Sequence, residues 1–587
     1  MIAQQHIKQS KPASLPPESV ATDEGLPRGA EILVEALVQE GVDSIFGYPG
    51  GAVLHIYDEL WRRRERVTHY LVRHEQGAVH MAEGYARASG RVGVALVTSG
   101  PGATNAVTGI ANAYMDSTPI VVITGQVPLH LIGTDAFQEV DTVGITRPCV
   151  KHNYLVRDVR DLAAVVHEAF FLARTGRPGP VVIDIPKDVS AARAPYSRLD
   201  HIVFPCRERR KSPDAQAVSS AADAIMRAER PVLYVGGGIV NSGADRALLA
   251  FAEALQLPVT PTLMGLGGFP SAHALSLGML GMHGTYAANM AVAESDLLVA
   301  VGVRFDDRVT GRLSDFATGA RFIHIDIDPA EIGKNKPAHV PIVGDAKEAL
   351  RALDAQTPPP DCEPWHRQIA EWKARYPLRY RQTGDTIKPQ FAIEQVYRLT
   401  DGRAIVVTDV GQHQMWAAQF YLSTEPRTWL TSGGLGAMGF GFPAALGAQI
   451  GRPDALVCAL LGDGGFQMTL QDLGTAVEWG LPLKLYVLDN GSLGMVRQWQ
   501  QLFYRERYSH VFLKNPDFAK LAEAYGAVGI NVRRVDELEP AVRRSLEVTD
   551  RPCVVAITVD PEENCYPMIP SGQSVKEMIV EDDRIRD

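Results

Sequence analysis

The sequence lacks several features that would place it in particular classes of protein. Only 6 of its 587 residues are cysteine, and they are scattered without the paired spacing of a zinc site or a disulfide framework. Cys458 and Cys553 lie in apolar runs, which indicates buried thiols and a reducing cytoplasm as the expected location. No apolar run approaches the ~20 residues that a transmembrane helix needs. We therefore expect neither a disulfide-stabilised secreted protein nor a membrane protein.

Basic residues are also fewer than acidic ones. The chain carries 58 Lys and Arg against 68 Asp and Glu, a net charge of −10, so it has no electrostatic footprint for nucleic acid. The basic cluster at 61–66 is best explained as a solvated helix end. The first arginine is Arg28, and no basic-then-apolar pattern precedes it, so neither a signal peptide nor a transit peptide is expected.

The length and the glycine pattern predict several α/β domains. A chain of 587 residues is too long for one hydrophobic core. Apolar runs that end in glycine-rich loops and lead into helix patterns recur, which is typical of doubly wound parallel sheets. The predicted organisation is a disordered tail at 1–27, α/β domains at 28–190, 213–354 and 389–587 (the last with a C-terminal tail), and linkers at 191–212 and 355–388.

The most informative stretch is a predicted strand–helix–strand unit at 455–490. Its first apolar run ends in Gly462-Asp463-Gly464-Gly465, and its second ends in Asp489-Asn490. A carboxylate and an amide then share the carboxyl edge of a parallel sheet, where ligands of open α/β sheets bind. Such oxygens suit Mg²⁺ or Ca²⁺, and the glycines let a diphosphate approach the backbone. Alone, the glycine motif could be only a turn, but Asn490 favours a metal site.

Other patterns are less specific. Glu75 begins a helix rich in small residues, where a lone carboxylate is normally solvated or helix-starting. The run 231–235 leads into Gly236-Gly237-Gly238, which fits a nucleotide loop and a tight strand-to-helix turn about equally well.

Taken together, the motifs resemble the catalytic subunits of the acetohydroxyacid synthase (acetolactate synthase) family, which are thiamine-diphosphate enzymes. The resemblance covers roughly residues 28–580 and depends most on GYPGGAV (47–53), RHEQGAVHMAEGYARASG (73–90), IGTDAFQE (132–139), GRPGPVVIDIPKDV (176–189), GMHG (281–284), GVRFDDRVTG (302–311), TSGGLGAMGFGFPAA (431–445) and GMVRQWQ (494–500). It implies pyrimidine-binding, central FAD-type and diphosphate-binding domains, in that order. Asp489 departs from the family, which has asparagine there, and Leu129-His130 departs where many relatives have a basic residue.

The resemblance also implies the reaction and the partners. Pyruvate is decarboxylated on thiamine diphosphate, and the two-carbon unit is joined to a second pyruvate or to 2-oxobutyrate, the first common step of valine, leucine and isoleucine biosynthesis. The expected cofactors are thiamine diphosphate, Mg²⁺ and a largely structural FAD. A homo-oligomer with active sites shared between chains is implied, and a regulatory small subunit is a partner that the sequence leaves open.

Site residues follow from the resemblance by position. Glu75 would meet the aminopyrimidine, and Asp463, Asn490 and the carbonyl of Ser492 would hold Mg²⁺. The expected thiamine-diphosphate contacts are completed by Val410, Gly411, Gln412, His413, Gly436, Met438, Gly462, Gly464, Gly465, Gly494 and Met495, and the reaction site by Gly51, Phe137, Gln138, Lys187, Arg308 and Trp499.

The residues that match the family's FAD site are spread along the chain. They are Arg177, Gly236, Gly237, Gly238, Thr262, Leu263, Met264, His283, Gly302, Arg304, Asp326, Ile327, Asp345, Gly433 and Gly434.

Three other functions remain open at this level. An FAD-dependent pyruvate oxidase would reduce its flavin with pyruvate, and a simple 2-oxo-acid decarboxylase would release an aldehyde. A non-catalytic scaffold or regulatory paralogue belongs to a different class. Glu75, Asp463 and Asn490 are all retained, which argues against that last function.

Overall fold

The computed structural model describes residues 25–196 and 212–581. Most of the predicted tail at 1–27 and of the predicted linker at 191–212 lies outside these ranges. The described residues form three parallel sheets, each covered by helices, as the sequence predicts. Each sheet lies within one of the predicted domains, whose bounds stay predictions.

The first sheet is built from the first part of the chain. Its strands are β1 Ser44–Tyr48, β2 Thr68–Leu71, β3 Gly93–Val97, β4 Ile120–Gln126, β5 His152–Leu155 and β6 Val181–Pro186, in the order β2-β1-β3-β4-β6-β5. Its helices are α1 Gly29–Gln39, α2 Leu54–Arg62, α3 Glu75–Ser89, α4 Pro101–Met115, α5 Thr142–Thr146, α6 Leu162–Arg174 and α7 Lys187–Ala191. The inner strands β3, β4 and β6 are buried along their length because helices cover both faces.

The central sheet has five strands. They are β7 Pro231–Val235, β8 Val259–Pro261, β9 Leu297–Val301, β10 Arg321–Asp326 and β11 Val340–Val343, in the order β11-β10-β9-β7-β8. Its helices are α8 Ala215–Met226, α9 Gly237–Ser242, α10 Asp245–Leu255, α11 Tyr286–Glu294, α12 Asp307–Thr310 and α13 Ala346–Asp354.

The predicted linker at 355–388 contains a helix, α14 Glu363–Arg375, that packs against the central domain. The Trp365 indole nitrogen donates to the Pro231 carbonyl, and Trp365 and Ile369 are buried in that domain's second core cluster. The segment therefore covers the central sheet as well as connecting two domains.

The third sheet repeats the topology of the first. Its strands are β12 Ile405–Thr408, β13 Trp429–Leu430, β14 Val457–Gly462, β15 Lys484–Asp489, β16 Val528–Val532 and β17 Cys553–Thr558, in the order β13-β12-β14-β15-β17-β16. Its helices are α15 Pro389–Leu399, α16 Gln412–Phe420, α17 Gly441–Gly451, α18 Asp463–Thr469, α19 Leu473–Glu478, α20 Gly494–Phe503, α21 Phe518–Tyr525 and α22 Val535–Glu547. The two sheets therefore share one strand order, as two copies of a duplicated domain would.

Helices α3 and α17 bring the first and third domains together through small residues. A Cβ atom added at Gly84 would lie 1.9 Å from the Ala444 carbonyl oxygen, and one at Gly447 would lie 1.9 Å from that of Met81. The two backbones therefore touch directly, and a single core cluster spans both domains.

Across the described ranges, no helix combines the length and the apolarity that a membrane crossing requires.

Candidate functional site

Each of the three sheets has a point near its middle where the strand order reverses, and predicted site residues follow the strands at that point. In the first sheet β1 leads to Gly51, and in the central sheet β7 and β9 lead to Gly236 and Gly302. In the third sheet β12 and β14 lead to Gly411 and Asp463. Ligands of open α/β sheets bind at such points, outside the carboxyl ends of the strands.

The predicted metal ligands lie together at the edge of the third sheet. Strands β14 and β15 pair so that Gly462 faces Leu488, which places Asp463 and Asn490 at neighbouring strand ends. Asp463 is buried, and its Oδ1 accepts a hydrogen bond from the Gly464 backbone at 2.9 Å. Burial raises the pKa of Asp463 to about 7, and the nearby Asp489 carboxylate adds to the increase.

One amide joins the two carboxylates at this edge. Asn515 Nδ2 donates to Asp463 Oδ2 at 2.6 Å and to Asp489 Oδ1 at 2.7 Å. Asn515 Oδ1 in turn accepts from Gln467 Nε2 at 2.9 Å. The Asp489 departure therefore places a second carboxylate beside the predicted ligand, and Asn515 holds both.

Two buried polar atoms near this edge are available to a diphosphate or a metal ion. Ser492 Oγ and His413 Nε2 have no hydrogen-bond partner within the part of the chain that the structure describes. Burial lowers the pKa of His413 to about 4, so its imidazole is neutral near pH 7. A Cβ atom at Gly494 would lie 2.1 Å from Gln412 Oε1, so a larger residue there would displace the Gln412 amide beside Asn490. These residues fit a metal-bound diphosphate.

Asp409 organises the turn that carries Met438. This fully buried carboxylate accepts backbone hydrogen bonds from Val410 at 2.7 Å, Gly439 at 3.0 Å and Gly441 at 2.9 Å. Burial raises the pKa of Asp409, and the hydrogen bonds from these backbone donors oppose that increase. The bonds from Gly439 and Gly441 fix the backbone that directly follows Met438, which the resemblance places against the thiamine.

A single large cavity of about 1530 Å³ lies where the three domains meet. Every residue matched to FAD lines it, and so do several residues matched to thiamine diphosphate and to the reaction site. The FAD group comprises Arg177, Gly236, Gly237, Gly238, Thr262, Leu263, Met264, His283, Gly302, Arg304, Asp326, Ile327, Asp345, Gly433 and Gly434; the others are Val410, Gly411, Gly436, Met438, Met495, Arg308 and Trp499.

The central-domain wall of this cavity fits a dinucleotide. A Cβ atom at Gly236 would lie 2.3 Å from the Gly302 carbonyl oxygen, so the loops after β7 and β9 touch. His283 Nε2 and Glu331 Oε2 are buried and lack partners among the residues described, and both residues line the cavity. Burial raises the pKa of Asp326 to about 6. The wall thus offers exposed backbone at the strand ends and buried acceptors for hydroxyl groups.

Arg177 ties the first domain to this wall. Its Nη1 donates to Glu331 Oε1 at 2.7 Å, and its Nε donates to Ser117 Oγ at 2.9 Å. The guanidinium is therefore held in place at the cavity by residues of two domains.

Five predicted residues of the first domain form a separate group. Glu75 accepts a hydrogen bond from Asn105 Nδ2 at 2.9 Å, and Gln138 has a φ of 59°, which is uncommon outside glycine. The Phe137 side chain is 88% exposed. With Gly51 and Lys187, these residues follow strands or loops at the carboxyl edge of the first sheet.

This group does not share the large cavity within one chain. In the described part of the chain, the first domain lines the cavity only with residues 115–117 and 174–178, which precede β4 and β6. Those residues lie at the amino edge of the sheet, opposite to Glu75. The predicted site residues are thus divided between two regions of the chain.

Several of these contacts lie outside the sequence-based prediction. Asn515 follows Asp463 at a distance of 52 residues, without a pattern that links them. Asp409 follows the buried strand β12 directly, so its position at a strand end was a usable signal.

Comparison with known families defines the class of protein. The N-terminal TPP binding domain of thiamine pyrophosphate enzymes matches residues 27–145. The central domain of these enzymes matches residues 218–353, and their C-terminal TPP binding domain matches residues 409–557.

Individual relatives identify one family within this class of enzymes. The chain is 49% identical over 564 residues to the acetolactate synthase large subunit of Haemophilus influenzae, covering 94% of this chain and 98% of that protein. It is 49% identical to the isozyme 3 large subunit of Escherichia coli, with 94% and 98% covered. It is 51% identical to the large subunit of Corynebacterium glutamicum, with 93% and 89% covered. The chain belongs to the acetolactate synthase large-subunit family of thiamine-pyrophosphate enzymes.

Proposed function

We propose that this acetolactate synthase binds thiamine diphosphate at the carboxyl edge of its third sheet, with Mg²⁺ held by Asp463, Asn490 and the Ser492 carbonyl. The observation that supports this most directly is the pairing of β14 with β15, which brings a buried carboxylate and an amide to one edge. The diphosphate needs a cation before it can enter a partly desolvated cleft. The Ser492 hydroxyl, which has no partner among the described residues, and the neutral His413 imidazole provide polar contacts around it.

The substrates are pyruvate, as donor, and pyruvate or 2-oxobutyrate as acceptor. Thiamine diphosphate, when bound, supplies the electron sink that the loss of CO₂ from pyruvate requires. The Glu75 carboxyl group would contact the aminopyrimidine and serve as its acid–base partner. Arg308 presents a guanidinium, 59% exposed at its side chain, as the partner of the second substrate's carboxylate. Met438 and Met495 provide apolar surface that excludes water.

FAD occupies the large cavity in this proposal. Its support is that all residues matched to FAD line one continuous space and that two buried acceptors there lack partners in the described chain. The same space reaches Met438 and Trp499 of the third domain. FAD would therefore shape the wall of the reaction site, with no oxidation step required of it.

The complete active site belongs to two chains. The first-domain group does not line the large cavity that residues of the third domain share, and both domains expose large apolar side chains. Phe137 is 88% exposed on the first domain, and Met468 and Phe512 are 54% and 65% exposed on the third. A second copy that placed its first domain against the metal edge would cover these side chains and complete both sites.

A smaller subunit also assembles with the chain in this proposal, because the names of the relatives describe large subunits. Size-exclusion chromatography of the chain, alone and co-expressed with a candidate small subunit, tests this assembly.

The direct test of function is product identification. The purified protein is incubated with pyruvate, thiamine diphosphate, Mg²⁺ and FAD, and each cofactor is omitted in turn. We expect acetolactate from pyruvate alone and 2-aceto-2-hydroxybutyrate when 2-oxobutyrate is added. Acetaldehyde as the main product, or rapid flavin reduction by pyruvate, would contradict the proposal.

A further inference from the structure

A short turn of the third domain forms part of the cavity wall and is held largely by polar side chains of the first domain of the same chain. Gly433 and Gly434 lie in this turn, which follows β13, and both line the cavity. Asn112, on α4, and Asp116, which directly follows that helix, lie one helical turn apart and face the turn. Neither residue belongs to a motif that indicates a site.

Asp116 binds two consecutive backbone amides of this turn. The Gly434 N–H donates to its Oδ1 at 2.7 Å, and the Gly433 N–H donates to its Oδ2 at 3.1 Å. Asp116 is buried, and its nearest cation is Arg87, with Nη1 3.5 Å from Oδ2. Arg87 Nη1 also donates to the Thr431 carbonyl at 2.7 Å. The Asp116 carboxylate thus accepts two N–H groups of the turn, and the Arg87 guanidinium donates to one of its carbonyl groups.

Asn112 secures the rest of the turn through Ser432. The Ser432 hydroxyl donates to Asn112 Oδ1 at 2.5 Å and accepts the Ala437 N–H at 2.8 Å. A second hydrogen bond fixes the orientation of the Asn112 amide, because its Nδ2 donates to the fully buried Glu83 at 2.8 Å. Glu83 in turn pairs with His80 Nδ1 at 2.9 Å. These side chains are buried, so the network anchors the turn at both ends.

The turn has little space in which to move. A Cβ atom at Gly433 would lie 2.4 Å from Met264 Sδ, and one at Gly434 would lie 3.1 Å from Arg304 Nη2. Met264 and Arg304 line the cavity on the central domain. A small displacement of the turn would therefore disturb the central-domain wall.

We propose that Asp116 is a positioning residue that fixes the Gly433–Gly434 backbone and so sets the shape of the flavin site. The first domain thereby determines how the central and third domains present their cavity surfaces to the cofactor. The part of this inference that concerns FAD rests on the proposed function; the part that concerns the turn does not.

The expected effect follows from the loss of a charged acceptor. Asp116→Asn keeps the size of the side chain but turns one acceptor into an N–H donor, which then faces a backbone N–H. Hydrogen bonds to charged groups contribute about 1.5–3 kcal/mol, which corresponds to about 10- to 100-fold in an equilibrium constant. We therefore expect the Kd for FAD to rise by about 10- to 100-fold.

Asp296 provides a matched control. It also accepts two consecutive backbone amides, from Glu229 at 2.8 Å and Arg230 at 2.9 Å. It precedes β9, at the amino edge of the central sheet, and is absent from the described residues that line the cavity. Asp296→Asn removes the same kind of contact away from the flavin site, so it should lower thermal stability and leave the Kd for FAD unchanged.

The experiment uses the full chain stripped of flavin and titrated with FAD, with flavin fluorescence and visible circular dichroism as readouts. Hydrogen exchange of the peptide that covers 431–438 is measured in the same variants without FAD. Asp116→Asn should weaken FAD binding, alter the flavin dichroism and speed exchange of the turn, while Asp296→Asn should change none of these.

Two results would overturn the inference: turn exchange at the wild-type rate in Asp116→Asn, or a Kd for FAD equal to that of the wild type. If the wild-type chain binds no FAD, the cofactor assignment in the proposed function fails. Exchange of the turn then decides by itself whether Asp116 fixes it, so the two failures are distinguishable.

Discussion

Asp463 and Asn515 are joined by a hydrogen bond of 2.6 Å, between the carboxylate Oδ2 and the amide Nδ2. The same nitrogen donates to Asp489 at 2.7 Å. The amide therefore keeps two carboxylates close together at the ends of neighbouring strands. A divalent cation at this edge would meet oxygen atoms that are already oriented, so less ordering is needed when it binds.

Replacing Asp463 should abolish metal-dependent binding of thiamine diphosphate. In Asp463→Ala, the cation loses its charged protein ligand and the diphosphate is left uncompensated in the cleft. We expect calorimetry to show a large loss of affinity in the presence of Mg²⁺. The exposed Asp454→Ala is the control. Unchanged binding in Asp463→Ala, with or without EDTA, would contradict the metal assignment.

Replacing Glu75 should slow proton exchange without removing the cofactor. Asn105 holds the Glu75 carboxyl at 2.9 Å, and glutamine keeps nearly the same shape there. Loss of an acid–base group typically costs about 10²–10⁴-fold. We expect Glu75→Gln to slow exchange of the cofactor C2 proton by this factor, read by deuterium NMR, with Glu65→Gln as the control. Exchange at the wild-type rate would rule out this role for Glu75.

Mixing two inactive variants should restore activity if the active site is shared. In a Glu75→Gln and Asp463→Ala hybrid dimer, one of the two sites combines an intact Glu75 with an intact Asp463. Random exchange of subunits then recovers about a quarter of the wild-type sites. Hybrid formation is verified with two affinity tags. Proven hybrids without activity would mean that each site is built within one chain.

Replacing Trp499 should change the choice of acceptor. Trp499 lines the cavity and packs edge-on against Phe503, with ring centroids 5.6 Å apart. Packing the extra methylene of 2-oxobutyrate on the indole contributes ~1–3 kcal/mol, or about 10–200-fold in selectivity. Trp499→Leu should therefore lower the preference for 2-oxobutyrate and largely preserve acetolactate formation.

The measurement is a competition between pyruvate and 2-oxobutyrate, with both products quantified. Trp61→Leu, at an exposed position on the first domain, is the control and should keep the wild-type product ratio. A wild-type product ratio in Trp499→Leu would mean that the specificity pocket lies elsewhere.

Asp472 should make stability depend on pH. Its carboxyl is fully buried, with Oδ1 accepting the Arg73 N–H at 2.8 Å, and burial raises its pKa to about 7. The unfolded chain releases this proton at about pH 4, whereas the folded chain keeps it until about pH 7. The folded state then binds more protons, so its free energy of unfolding falls as pH rises through this window.

Asparagine cannot ionise and can still accept the Arg73 N–H. The Tm of Asp472→Asn minus the Tm of the wild type should therefore increase as pH rises from 5 to 8. The exposed Asp454→Asn should show no such trend. A constant Tm difference between Asp472→Asn and the wild type would show that Asp472 ionises alike in both states.

The sequence predicted the elements with strong local signals. Buried strands such as β4 and β14 appear as continuous apolar runs, and a glycine loop follows β7. The edge strands β2 (THYL) and β16 (VGINV) carry neither a continuous apolar run nor a clear apolar–polar alternation, so they were not predicted. The placement of Asp463 and Asn490 at one sheet edge was predictable because strands joined by a helical crossover are commonly parallel neighbours.

Contacts between distant parts of the chain were decided by the tertiary structure. Asp116 and Gly434 are 318 residues apart, and they meet because Gly84 and Gly447 let α3 and α17 pack backbone to backbone. The sequence by itself determined the three sheets, their motifs and the residue types of the site. Which sheet edges face the common cavity depends on how the domains pack. That packing follows from surface shape over many residues, which no local pattern encodes.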